Sequence, residues 1–144
     1  MKSNRGQWLG MSALHWAVEQ GFPCVINALL EIPEIDINIQ DVYGRTPLQL
    51  AFIGRGYNVK IVTALIEHGA DFGIQDKNGD TPLHAVILFH GKNGAEWLPL
   101  MIMDHLTDYN YNQLDNNGMN LLQRAQLWEQ YESIIEKIKS CMMI

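Results

Sequence analysis

Cysteine is scarce: Cys24 and Cys141 are the two in 144 residues, and no Cys-x-x-Cys spacing occurs. That excludes a disulfide framework as the source of stability. It makes a reducing compartment the simpler expectation, cytoplasmic first and nuclear second. Positive charge is also short. Ten Lys and Arg stand against 16 Asp and Glu, a net charge of −6, and the basic residues are scattered. Nucleic acid and anionic membranes both need a concentrated positive footprint, so neither is the expected partner. Long apolar runs are missing too. The longest, Trp97 to Met103, falls far below the about 20 residues that a helical membrane span needs. The opening Met1-Lys2-Ser3-Asn4-Arg5-Gly6 is polar and leads to no signal-peptide core. No membrane insertion is expected. What the chain does have is 47% hydrophobic against 18% charged residues, the balance of a globular protein with one shared core. Residues 1–144 are read as a single domain.

A repeated pattern decides the architecture. Ser12-Ala13-Leu14-His15-Trp16-Ala17, Thr46-Pro47-Leu48-Gln49-Leu50-Ala51 and Thr81-Pro82-Leu83-His84-Ala85-Val86 align, with a degenerate fourth copy in Asn120-Leu121-Leu122-Gln123-Arg124-Ala125. A glycine stands two residues before each: Gly10, Gly44, Gly79 and Gly118, recurring every 34 to 39 residues. Periods of that size mark stacked-repeat folds. The local chemistry agrees. Thr46 and Thr81 suit helix N-caps, where the hydroxyl accepts a bond from an otherwise unpaired N–H. Pro47 and Pro82 then fall at the first helical position, where the missing N–H costs nothing. Leu48 and Leu83 begin the buried stripe. Ahead of the helices, Asp41-Val42-Tyr43-Gly44, Asp76-Lys77-Asn78-Gly79 and Asp115-Asn116-Asn117-Gly118 read as tight turns. In them Asp bonds its own backbone and Gly accepts positive φ. A second helix and an extended strip, Asp36 to Gln40 and Asp71 to Gln75, fill the space between copies.

Together the Thr-Pro-Leu-His tetrad, the Asp-x-x-Gly turn, Gly69-Ala70-Asp71 and the period resemble the ankyrin family over residues 7 to 139. The resemblance implies an all-α solenoid of about four helix-pair repeats with short β-turn fingers, over residues 7–40, 41–75, 76–114 and 115–144. Inner helices are then expected to start near residues 13, 47, 82 and 121. Outer helices are expected near 23–31, 58–67, 96–106 and 131–139. Departures are placed as follows. Repeat one has Gln7 for the turn aspartate and Ala13 for proline. Repeat two has Gln49 for histidine and an extra residue in Gly54-Arg55-Gly56. Repeat three takes an insertion between His90 and Ala95. Repeat four has lost the tetrad chemistry, and Glu129, Glu132, Glu136, Lys137 and Lys139 read as a solvated cap. At the other end Trp8, Leu9 and Trp16 are expected to need cover, from preceding protein or from a partner. The stretch from Ile74 to His84 also looks like part of the ankyrin region of mind-bomb-type ubiquitin ligases.

Candidate chemistry is thin. No two of the five histidines stand four apart on a helix, and no His/Cys cluster has zinc spacing. In the family, His15 and His84 are implied to bond backbone and capping groups between helices. His68 ends an outer helix, where a cation favours the dipole. Gly91-Lys92-Asn93-Gly94 is not a phosphate loop, and Gly54-Arg55-Gly56 follows no strand of a βαβ unit. Cys24 opens an outer helix without an implied base, so a partly buried structural thiol is expected. The chain is therefore read as no enzyme, with no cofactor and no metal. What remains is a surface for another protein, with the chain a monomer or part of a longer one. The resemblance places contacts on the finger tips and the concave face, at Trp8, Tyr43, Arg45, Lys77, Asn78 and Asp80, and at Trp16, Glu19 and Gln20. Tyr43 and Arg45 are expected as anchors, while Leu50, Leu88 and Phe89 are expected in the core. The functional expectation is a scaffold, adaptor or inhibitor. The alternative is a substrate-recruiting fragment of a larger enzyme such as a ubiquitin ligase.

Overall fold

A computed structural model describes residues 10–53, 58–90, 97–106, 108–127 and 131–142. Trp8, Leu9, Gln7, Glu129 and the insertions placed at Gly54-Arg55-Gly56 and at 91–95 lie outside them. The described residues form eight helices and no strand. The inner helices are α1 (Ala13–Gln20), α3 (Pro47–Ile53), α5 (Pro82–His90) and α7 (Leu121–Gln126). The outer helices are α2 (Pro23–Leu30), α4 (Val59–Glu67), α6 (Trp97–His105) and α8 (Glu132–Met142). Each inner helix begins where the tetrad predicts.

Caps explain those starts. Ser12 Oγ accepts the N–H of His15 at 3.2 Å, and Thr46 Oγ1 that of Gln49 at 3.3 Å. Thr81 Oγ1 accepts the N–H of His84 at 3.4 Å. The fourth repeat corrects the expectation that its tetrad chemistry is lost. Asn120 Oδ1 accepts the Gln123 N–H at 2.9 Å, and Gln123 Oε1 accepts the Asn120 N–H at 2.9 Å. Asn and Gln thus build the same reciprocal box as Ser12 and His15. Gly21 ends α1 at φ 74°, with its N–H on the carbonyls of Ala17 and Val18.

Each inner helix packs on the outer helix that follows it, and α1, α3 and α5 stack in a row with α2 on α4 and α6 on α8. Leu14, Leu48 and Leu83 are buried at the equivalent position of repeats one to three, while in repeat four Leu122 at that position is partly buried and its neighbour Leu121 is buried. Ile61, Leu65, Ile134 and Ile138 close the core from the outer layer. Glu132, Glu136 and Lys139 on α8 face solvent, as the cap reading requires. Three expectations fail. Leu50 is in the core, but Leu88 is only partly buried and Phe89 is 50% exposed. Cys24 is exposed, because the second position of α2 points away from α1.

Candidate protein-binding surface

The three described fingers are copies of one another. The N–H groups of Asp41, Asp76 and Asp115 donate to the carbonyls of Arg45, Asp80 and Met119 at 2.8–3.0 Å. Gly44, Gly79 and Gly118 close each turn on the carbonyl of its aspartate. Each aspartate then uses Oδ1 to accept two backbone N–H groups inside its own finger: Tyr43 and Arg45, Asn78 and Asp80, Asn117 and Met119. That is why the sequence repeats Asp there.

Oδ2 is where the repeats differ. Asp41 Oδ2 takes Arg45 Nε of its own finger at 2.9 Å. Asp76 Oδ2 takes Gln49 Nε2 from the preceding inner helix at 2.7 Å. Asp115 Oδ2 takes Arg124 of the following inner helix at 2.6 Å. Burial pushes the Asp115 carboxyl up, but the Met119 N–H, Arg124 and the Asn117 N–H outweigh it and hold it below the ordinary range. Arg124 also pairs with Asp80 at 3.2 Å. Burial lifts the Asp80 carboxyl above its usual value. Arg124 opposes that, while Asp76 and Asp115 add to it. Sequence reasoning missed Arg124, although a charged residue at the position of Trp16, Leu50 and Ala85 was its visible signal.

The fingers are tied to each other as well. Lys77 N–H donates to the Tyr43 carbonyl at 3.0 Å and Asn116 N–H to that of Asn78 at 3.3 Å. Gln40 Nε2 bridges the carbonyls of Gly44 and Gln75, and Gln75 Nε2 bridges those of Gly79 and Leu114. The row of tips is a rigid edge.

Five of the predicted contact residues, Tyr43, Arg45, Lys77, Asn78 and Asp80, line one groove of about 300 Å³ between fingers two and three. Its floor comes from α3 and α5 through Ile53, Leu88 and Phe89. Tyr43 is 61% exposed, and Lys77 and Asn78 are exposed too. Arg45 departs from its expected freedom. Its guanidinium pairs with Asp41 at 2.9 Å and lies 4.7 Å from the Tyr43 ring centre, so it braces the finger. Trp16, Glu19 and Gln20 sit on α1, away from this groove. A second hollow of about 590 Å³ lies between the loop 69–73 and the segment 105–113; no motif announced it.

Three of the histidines make structural contacts. His15 Nε2 donates to the Arg45 carbonyl at 2.7 Å and Nδ1 accepts the Ser12 N–H at 3.2 Å, one ring joining two repeats. His84 Nδ1 accepts the Thr81 N–H at 3.2 Å, while its Nε2 has no hydrogen-bond partner among the described residues. His68 Nδ1 meets the Ala64 carbonyl at 2.8 Å at the end of α4. Among the described residues no group of three His, Cys, Asp or Glu side chains is placed to hold a metal ion. No described helix is long and apolar enough to cross a membrane.

Comparison with known proteins agrees with this geometry. The model of ankyrin repeats in three copies matches residues 2–76, more than half of the chain, and that of ankyrin repeats in many copies matches residues 58–98. Rabankyrin-5 of Mus musculus is 30% identical over 127 residues, 88% of this chain and 10% of its own length. The target of rapamycin complex 2 subunit AVO2 of Saccharomyces cerevisiae is 27% identical over 133 residues, 90% of this chain and 30% of its own. The E3 ubiquitin-protein ligase KEG of Arabidopsis thaliana is 32% identical over 95 residues, 65% of this chain and 6% of its own. The chain thus spans less than a third of each of these relatives. The ankyrin repeat is a protein–protein interaction module, and with its motifs, its stacked helix pairs and its fingers this chain belongs to the ankyrin-repeat family.

Proposed function

We propose that this chain binds one partner protein in the groove between fingers two and three, as a scaffold, adaptor or inhibitor. The observation behind this reading is the gathering of an exposed tyrosine, a half-exposed phenylalanine and the apolar side chains of Ile53 and Leu88 in a single groove. Exposed aromatics on a rigid edge lose little freedom on binding, and they are the side chains most often found as hot spots. Lys77 and Asn78 give the groove a polar rim of the kind interfaces use. Arg45 holds Asp41 and is not counted among the anchors. A relative named as a subunit of a complex fits this role. The match to a ubiquitin ligase favours a second reading, in which the chain recruits substrate for a larger enzyme.

The test is a pull-down from cell extract with parent and Tyr43→Ala side by side, identified by mass spectrometry. Tyr43→Ala is expected to keep its helical signal and melting temperature, because its ring lies outside the core. It should lose about 2 kcal/mol or more of affinity if Tyr43 is a hot spot. Equal capture of the same proteins by both would move the site elsewhere.

A further inference from the structure

The groove between fingers two and three is lined by acceptors that lack donors. Gln49 holds the position that His15 and His84 hold in their repeats, five residues after the finger glycine. His15 uses both ring nitrogens, one on the Ser12 N–H and one on the Arg45 carbonyl. Gln49 uses only half of its amide. Its Nε2 donates to Asp76 Oδ2 at 2.7 Å, which fixes the orientation of the amide and turns the oxygen the other way. Gln49 lines the groove and is 3% exposed, and its Oε1 has no hydrogen-bond partner among the described residues. Asp80 lines the same groove. Its Oδ1 likewise has no hydrogen bond there, only the ion pair with Arg124 at 3.2 Å. Asp76 sets the two side by side, because its Oδ1 accepts the Asp80 N–H at 2.9 Å while its Oδ2 holds Gln49. Buried acceptors without donors are costly, so a donor brought by an occupant is favoured.

Charge points the same way. Arg124 answers both Asp80 and Asp115, and Asp76 adds a third carboxylate beside them. Of the described cations that line the groove, Arg45 is committed to Asp41, and Lys77 stands exposed on the rim, where water screens it. Burial lifts the Asp80 carboxyl above its usual value, Arg124 opposes that, and Asp76 and Asp115 add to it. A carboxylate so placed has too little positive charge around it.

We infer that the groove takes an arginine side chain from a segment of the partner protein, its guanidinium donating to the Asp80 carboxylate and to Gln49 Oε1. This rests on the groove being the partner site, and it names what enters. A guanidinium carries several donors and no acceptor, whereas an amide or a hydroxyl would bring a further acceptor among acceptors. Lysine also only donates, but its ammonium is a compact and strongly hydrated charge. The planar fork of arginine reaches two acceptors at once and gives up its water more easily. Its apolar stem has the wall of Ile53, Leu88 and Phe89 to lie along. Gln49 Oε1 is closed to water, so the arginine reaches it through a side-chain adjustment of the kind that binding commonly brings. An acidic segment would set its carboxylates against Asp76 and Asp80 instead.

Selection of random heptapeptides displayed on phage against the immobilised full chain tests this, followed by titration calorimetry of the strongest peptide. Enriched peptides should share an arginine at one fixed position, and Tyr43→Ala should capture them less. Glutamine in place of that arginine should weaken binding about tenfold or more. Asp80→Asn leaves Arg124 paired with Asp115. It should weaken the arginine peptide about tenfold and its glutamine counterpart far less. Gln49→His, the residue of repeats one and three, should act in the same direction and serves if Asp80→Asn does not fold. Peptides that need Tyr43 yet share no arginine overturn the inference and keep the groove as the site. Peptides indifferent to Tyr43→Ala overturn the groove and the arginine together. Equal weakening of both peptides by Asp80→Asn overturns the contact, since a merely structural effect does not distinguish them. A selection that enriches nothing also overturns the arginine, while the pull-down still tests the groove.

Discussion

His15, Gln49, His84 and Gln123 occupy one position in four repeats and solve it differently. His15 joins two repeats through both ring nitrogens, and Gln123 closes a capping box. Gln49 reaches across to Asp76 in the next finger. His84 keeps an unpartnered Nε2 in a nearly dry site, and burial, followed by the nearby Arg124, drives its pKa down to about 4. The sign of the consequence follows from linkage. Between the ordinary histidine value of 6.5 and about 4, the unfolded chain binds a proton that the folded chain refuses. Stability is therefore lost as pH falls through that window, by up to about 3 kcal/mol. His15 is also lowered by burial and acts in the same sense. Asp80, raised by burial, acts oppositely just above 3.8, where the folded chain holds the extra proton. His84→Gln places at this site the residue already used at 49 and 123. Urea titrations at pH 6.5 and pH 4.5 should show a smaller acid loss in this variant than in the parent. Equal losses would mean that His84 does not report the acid sensitivity.

Fingers illustrate what a linear pattern can and cannot say. Gly44 and Gly79 have φ of 76° and 84°, which the turn alone explains. A Cβ at Gly44 would also lie 2.9 Å from the Lys77 backbone nitrogen, and one at Gly79 only 2.5 Å from that of Asn116. Gly118 has the same positive φ but nothing within 4 Å. Alanine at any of the three pays backbone strain of about 1–2 kcal/mol. Gly44→Ala and Gly79→Ala must in addition push two fingers apart, so their melting temperatures should fall clearly below that of Gly118→Ala. Matching values for all three would show that the fingers do not support one another. The turn requirement was legible because Asp and Gly recur at a fixed offset. So were the helix starts, written in Thr, Pro and Leu. The ties between fingers were not, because Gln40 and Gln75 donate to carbonyls that any residue supplies. The bracing role of Arg45 was hidden for a related reason: sequence puts it beside an aromatic, but only geometry puts its guanidinium on Asp41. Phe89 was misread as core because α5 is apolar nearly all round, and such a helix does not announce which side meets solvent.

Stacked repeats form a one-dimensional array, in which each unit gains stability from its neighbours more than from itself. Leu48 and Leu121 test this. Both lie in the first turn of the inner helix, of repeat two and of repeat four, and both are buried, at 0% and 2% exposure. Replacement by alanine removes the same atoms and should cost on the order of 2–5 kcal/mol locally in either case. The consequences should nevertheless differ. α3 contacts α1, α4 and α5, so damage there breaks the link between both sides of the stack. Total stability of a small domain is about 5–15 kcal/mol, and Leu48→Ala should lower the single unfolding transition of the whole chain. α7 packs mainly on α8, which in turn packs on α6. Leu121→Ala should therefore release repeat four early and leave repeats one to three to unfold near the parent midpoint. Hydrogen exchange read by mass spectrometry resolves the two. Faster exchange confined to residues 115–142 is expected for Leu121→Ala, and faster exchange throughout for Leu48→Ala. If Leu121→Ala opens the whole chain as Leu48→Ala does, the repeats fold as one inseparable unit and nearest-neighbour coupling does not describe this molecule.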